Sequence, residues 1–283
     1  MKHQFEFLTI TLEEFLQRKN ILEEIRNNQP AGIIIKNFFS QSECSVLKEK
    51  YSQQTANKSQ LPLNQGYTYP TVFAHQLRNT GGDPEKAAAY FQFCSEYKNT
   101  FEEIFGVDAP KRFQELFENG GGGRTVSVMP SPEFKHIYPA CSFRDLATGV
   151  GEMTLHCGLF FYDLVPHIYE HVLKVVEKGD QLSFFTVLQK AETGGELTIF
   201  DVSWDEAEER INDLELEAKD GSKLRIGKDI DSFPVDIAVG DLLIFNGGRI
   251  WHRIEIVGGQ FNRLTLGGFI GFSENKKEIY FWS

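Results

Sequence analysis

Apolar and polar positions alternate on two different periods along this chain, and the change comes near residue 124. In the first part, helical spacing predicts helices over residues 11–28, 40–55, 84–105 and 110–118. The β-branched run AGIIIKNFF, 31–39, reads as a strand between the first two. Residues 61–82, LPLNQGYTYPTVFAHQLRNTGG, are rich in turn formers and aromatics and read as a long loop. The run NGGGGR, 119–124, lacks the Lys-Ser/Thr ending of a phosphate loop and reads as a flexible turn.

Beyond residue 124, strand-like runs at 125–129, 152–162, 182–189, 196–201, 241–246, 250–257 and 263–272 are separated by Gly- or Pro-marked turns. Two helical inserts interrupt them. Residues 163–180, DLVPHIYEHVLKVVEKGD, open with Pro166 in the first turn and close on Gly179. Residues 203–221, SWDEAEERINDLELEAKDG, are acidic and predict a solvated surface helix. There is no internal repeat and no linker that would separate two domains. The expected fold is α+β with a mainly β core. In it a helical part (1–124) packs on a jelly-roll of residues 125–283, all within a single domain.

Composition narrows the class. With 283 residues, 41% hydrophobic and 24% charged, the chain is an ordinary globular protein able to bury a core. The 25 phenylalanines fit a β-rich core or an apolar pocket. A net charge of −11 argues against a nucleic-acid partner. Cys44, Cys94, Cys141 and Cys157 show no CxxC spacing, which argues against a zinc knuckle or a disulfide framework. The first residues turn charged by position 13, and no window approaches 18 apolar residues. A cytoplasmic protein with no membrane partner is the expectation.

Chemistry concentrates in two segments. In EMTLHCGLFF (152–161), a strand would put His156 and Gly158 on one face. In GDLLIFNGGRIWHRIEIVGGQFNRLTLGGF (240–269), His252 is followed eleven residues later by Arg263. Alone, His156 reads as a packed histidine and Gly158 as a bulge. Together the residues resemble the jelly-roll non-haem iron oxygenases, where two histidines and a carboxylate hold iron(II). In those enzymes a basic residue downstream of the second histidine grips 2-oxoglutarate, a task that suits the planar fork of arginine. The stretch 181–201, with its Gly-Gly-Glu, supplies the hairpin between the histidines. By that resemblance, the position of the carboxylate would be held by Gly158.

That departure resembles the carrier-independent aliphatic halogenases of the hapalindole/welwitindolinone type, whose motif is His-x-Gly or His-x-Ala. The likeness is carried over 138–283 by HCG, DQLSFF, GGELTIFDVSW, GDLLIFNGGRIWHR, RLTLGGFIGFS and IYFWS. It implies a double-stranded β-helix of the jelly-roll, cupin-like kind, using Fe(II), 2-oxoglutarate, O2 and chloride or bromide. His156 and His252 would be the metal ligands, Gly158 the halide-site residue and Arg263 the 2-oxoglutarate anchor. Ser183 would orient the iron-bound oxidant from outside the ligand set. Tyr138 and Arg144 would contact the co-substrate. The implied reaction removes hydrogen from an unactivated C–H bond of a free small molecule and transfers chlorine to the carbon, with no carrier protein. Tyr69, Phe73 and His75, in the loop beside the 84–105 helix, would line the substrate pocket.

Other readings stay open at this stage. Asp201 ends the hairpin strand and could restore a third ligand, giving a hydroxylase of the same fold. A non-catalytic jelly-roll binding protein is the reading from another class. His167, Glu170 and His171 fit the inverted zinc-protease motif H-x-x-E-H. The apolar stripe Val165, Ile168, Val172 and Val176 turns those histidines to the polar side of the helix, which argues against a zinc site there.

Overall fold

Alternate residues along the strands bury against two different neighbours, and this alternation builds the layers. The computed structural model describes residues 3–56, 62–63, 66–72, 76, 83–131, 133–149, 153–179 and 181–283. A large sheet runs Phe7–Ile10, Gly32–Ile35, Leu242–Phe245, Leu182–Gln189, Arg263–Phe272, Ser142–Leu146, Gly66–Tyr69 and Pro62–Leu63, neighbour to neighbour. Glu278–Trp282 pairs with Arg263–Phe272 off this path and carries the parallel strand Thr125–Val128. A small sheet runs Ser232–Val235, Leu197–Ser203, Ile250–Ile254 and Met153–His156.

The chain passes back and forth between the sheets. Ser142–Leu146 lies in the large one, Met153–His156 in the small, Leu182–Gln189 in the large and Leu197–Ser203 in the small. Val187, Leu243 and Phe245 of the large sheet bury against Leu197, Ile199, Ile250 and Ile254 of the small. The opposite face of the large sheet packs on helices, where the Phe184 ring meets Phe113 at 4.9 Å and Phe117 at 5.0 Å. Behind the small sheet, Trp251 and Phe200 pack with Ala207 and Leu216.

Several predicted elements form as expected, with clear local causes. Thr11 and Ser40 cap the helices Leu12–Gln17 and Gln41–Thr55 through reciprocal boxes with Glu14 and Glu43. The 11–28 helix breaks into Leu12–Gln17 and Ile21–Arg26, and the 84–105 helix into Pro84–Asn99 and Phe101–Phe105. The N-terminal part is not purely helical, because Phe7–Ile10 and Gly32–Ile35 extend the large sheet.

Three expectations need correction. Residues 203–221 form no helix: Ala207–Asn212, Glu215–Ala218 and Lys223–Arg225 make a three-stranded meander. Leu214-Glu-Leu-Glu-Ala218 alternates with period two, and Leu216 alone of these is buried, so tertiary burial overrides the helix-forming composition. The 61–82 loop contributes Gly66–Tyr69, which extends the sheet beside Ser142–Leu146. The 163–180 helix is shorter, Pro166–Leu173. The four cysteines are free and buried. Among the described residues, no helix is long and apolar enough to cross a membrane.

Phe184, wedged between sheet and helices, tests this layering. Phe184→Ala is expected to cost about 3–5 kcal/mol and to lower the melting temperature by roughly 10 °C, as read by calorimetry.

Candidate active site

Two imidazoles meet on the inner face of the small sheet. His156 ends the strand Met153–His156 and is the register partner of His252 on Ile250–Ile254. Opposed residues on neighbouring antiparallel strands point the same way, and the two ring centroids lie 4.4 Å apart. The Phe245 ring stands edge-on to His252 at 5.0 Å, and Phe161 lies 5.2 Å from His156.

The backbone sets their tautomers. His156 Nδ1 lies 2.6 Å from the Thr154 carbonyl and His252 Nδ1 lies 2.7 Å from the Ile250 carbonyl. A carbonyl only accepts, so each Nδ1 carries the proton and each Nε2 presents a lone pair. Burial pushes the His156 pKa down to about 4, with Arg144 and Arg210 adding to the effect against the Thr154 hydrogen bond. Burial likewise holds His252 well below 6.5, helped by His156. Both rings are therefore neutral near neutral pH, the form that binds a metal.

No carboxylate joins them among the described residues. Among the described residues, no group of three or more His, Cys, Asp or Glu side chains is placed to hold a metal. Asp201 instead pairs with His3, 2.8 Å from its Nδ1. His171 stands 3.4 Å from Glu133 on the outer helix, apart from this pair.

The facing wall, the inner side of the large sheet, is cationic. Arg263 is 6% exposed, its guanidinium 5.1 Å above the Phe185 ring. Arg144 pairs in register with Thr265, two residues from Arg263, so both guanidinium groups share one face. Arg144 lies 5.2 Å from the Phe269 ring. Neither makes an ion pair among the described residues. Burial lowers both pKa values to about 10, and Arg144 lowers that of Arg263 further, yet both stay charged at neutral pH. Glu196 partly offsets the charge of buried Arg263, while half-buried Arg144 adds a second one, so this wall suits an anion. A cleft lined by Val187, Gly195, Leu197, Ile237 and Arg263 opens beside it. Two neutral imidazoles opposite this wall fit a divalent iron and an anionic chelator.

The structure corrects one premise at Gly158. The 152–162 strand stops at His156, and Gly158 opens the short helix Gly158–Leu164. The Gly158 and Leu159 amides donate to the Gly247 and Gly248 carbonyls, at 2.9 and 3.0 Å. Leu159 and Tyr162, three apart, are the buried positions, so LFFY follows the helical period despite its strand propensity. A Cβ on Gly158 would stand 2.9 Å from Gln181 Nε2 and 2.9 Å from Gly248 Cα.

Other expected residues scatter more widely. Ser183 is directly opposite Phe269 and Phe245, on the inward face. Tyr138 packs its ring 4.9 Å from Phe91 in an aromatic cluster that includes Tyr162 and Trp282 and borders the site at Phe269. Tyr69 is not brought to the site: it opposes Phe143 and turns its ring toward Tyr97 at 6.0 Å, on the face away from Arg144. Phe73 and His75 lie outside the described residues. Sequence reasoning missed Gln181 and Tyr162, although Gln181-x-Ser183-x-Phe185 is an inward-facing alternation that could have drawn notice.

Comparisons now bear on this geometry. The family described as carrier-protein-independent halogenase WelO5 matches residues 4–283. No curated protein sequence matches the chain. Among solved structures, the chain is similar to an N-substituted L-amino acid dioxygenase from Burkholderia ambifaria AMMD. The TM-score is 0.58 at 14% identity, covering 93% of this chain and 90% of that one. The same dioxygenase in complex with alpha-KG gives a TM-score of 0.57 at 14% identity and the same coverage, 93% and 90%. At this identity the likeness shows the fold.

The neutral imidazoles make stability pH-dependent. Between about pH 6.5 and 4 the unfolded chain binds a proton that folded His156 refuses, so stability of the metal-free protein is expected to fall as pH drops through that window. Urea denaturation across this range should show a shallower loss for His156→Asn.

Proposed function

The chain belongs to the carrier-protein-independent halogenase family, and from that premise we propose that it chlorinates an unactivated C–H bond of a free small molecule, using iron(II), 2-oxoglutarate, O2 and chloride. The observation that carries the reading is the neutral imidazole pair, with no carboxylate beside it among the described residues, facing the Arg144 and Arg263 guanidinium groups, which make no ion pair there. The alternation of strands between the two sheets supports reading the sandwich as a double-stranded β-helix.

His156 and His252 hold the iron through Nε2, each ring locked by its backbone hydrogen bond. Arg263 pairs with the distal carboxylate of 2-oxoglutarate, and Arg144, on the same wall, adds a second positive charge to the co-substrate region. Gly158 leaves the third protein-ligand position to a dissolved halide, which replaces a carboxylate charge for charge. Ser183 faces the same interior and offers a hydroxyl near the reacting centre. When bound, the iron and 2-oxoglutarate activate O2 to remove the substrate hydrogen. The protein's part is to hold the substrate carbon nearer the halide than any oxygen donor, and to keep water out with the Phe161, Phe245 and Phe269 rings.

The test starts from protein loaded with iron, 2-oxoglutarate and chloride without oxygen, then exposed to O2 with a panel of free small molecules. Succinate together with a product heavier by one chlorine for hydrogen is the expected result, shifting to bromine when bromide replaces chloride. Succinate with only hydroxylated product would make the chain a hydroxylase. Gly158→Asp is expected to abolish the chlorinated product, and its survival would show that residue 158 does not border the halide.

A further inference from the structure

Gly158 faces a side chain, and that side chain is oriented. Gln181 immediately precedes the strand Leu182–Gln189 and shares the inward phase of Ser183 and Phe185. It is 7% exposed. Tyr162 donates its hydroxyl hydrogen to Gln181 Oε1 at 3.2 Å. Among the described residues the phenol has no other acceptor, so exchanging the amide's two ends would strand that hydrogen. The amide is thereby fixed with Oε1 on Tyr162 and Nε2 turned to Gly158, 2.9 Å from where a Cβ would sit. Nε2 donates to nothing among the described residues. The Ser183 hydroxyl, two residues on along the same face, is likewise without a hydrogen-bond partner there. Ser183 is only half-buried, and neither donor is sealed within protein, so solvent or a ligand supplies the acceptor.

Resting on the halogenase reading, we propose that Gln181 is the side chain that recognises the halide: its Nε2–H donates to the anion lodged beside Gly158, and Tyr162 is the positioning residue that aims it. An amide suits the task. It offers a directed N–H to a monovalent anion without adding a third cation to a wall that already holds Arg144 and Arg263. It also explains why position 158 carries no side chain, since any Cβ would displace either this donor or the Gly248 backbone.

Gln181→Leu keeps the bulk and deletes the donor. Protein loaded anaerobically with iron(II) and 2-oxoglutarate, titrated with chloride or bromide and followed by visible absorption, should bind halide about tenfold more weakly, as loss of one hydrogen bond to a charged group implies. Affinity for 2-oxoglutarate should be unchanged, which also reports that the variant is folded. Tyr162→Phe, which releases the amide without removing it, should weaken halide binding by a smaller factor. Gln181→Glu, which sets an acceptor and a negative charge in the donor's place, should abolish it.

Halide affinity equal to the unaltered protein's in both Gln181→Leu and Tyr162→Phe would overturn the inference while leaving the halogenase reading intact. An unaltered protein that binds 2-oxoglutarate and no halide would remove both. Should Gln181→Leu not fold, crystals of the iron-loaded protein grown in bromide decide. Anomalous density within hydrogen-bond reach of Nε2 is expected, and a bromide touching only Ser183 would overturn the assignment.

Discussion

The site depends on one pairing across two antiparallel strands, His156 against His252, buried deep enough that neither ring takes a proton at neutral pH. Register brings the rings together, and the carbonyls of Thr154 and Ile250 choose which nitrogen stays free. A one-residue slip of either strand would turn its histidine to the outer face, among Trp251 and Leu155. Everything else in the site answers to that pair. The cations of the opposite wall matter because they face neutral donors, and the Arg144 charge helps keep the imidazoles neutral after burial has done most of it.

The layers around the pair divide the work. Helices and the large sheet share the main apolar core, which includes Phe113, Phe117, Phe184 and Phe281. The space between the sheets is apolar at one end, where Leu243, Ile199 and Ile254 meet, and polar where the histidines, Arg144 and Arg263 lie. The meander behind the small sheet adds support from outside, for Arg210 donates to the Leu155 carbonyl at 3.2 Å, next to the first histidine. Precision at the histidine pair is thus backed on both faces of a four-stranded sheet.

Much of this was legible in the sequence, and the exceptions have physical causes. The strands Leu182–Gln189 and Arg263–Phe272 announce themselves because buried, β-branched and aromatic runs bounded by glycine have few alternatives. His156, His252 and Arg263 could be named because order and spacing along the chain survive folding. The meander was misread because Glu, Ala and Leu favour helices locally, and only contact with Trp251 and Phe200 selects strands. The end of the first histidine strand was misread for a similar reason: the Gly247 and Gly248 carbonyls that stop it lie some ninety residues away in sequence. Tyr69 was expected at the pocket from its aromatic company, but strand parity sends it to the helices.

The close packing of Gly158 against Gln181 and Gly248 also bears on descent. A side chain gained at position 158 requires its neighbours to shift, so a change there does not act alone. A newly acquired acid there would press on an amide held by a phenol and on the Gly248 main chain, and one of the two would have to move. Substitutions at 158 are therefore expected to be epistatic with those at 181 and 162, because the three positions share one small volume.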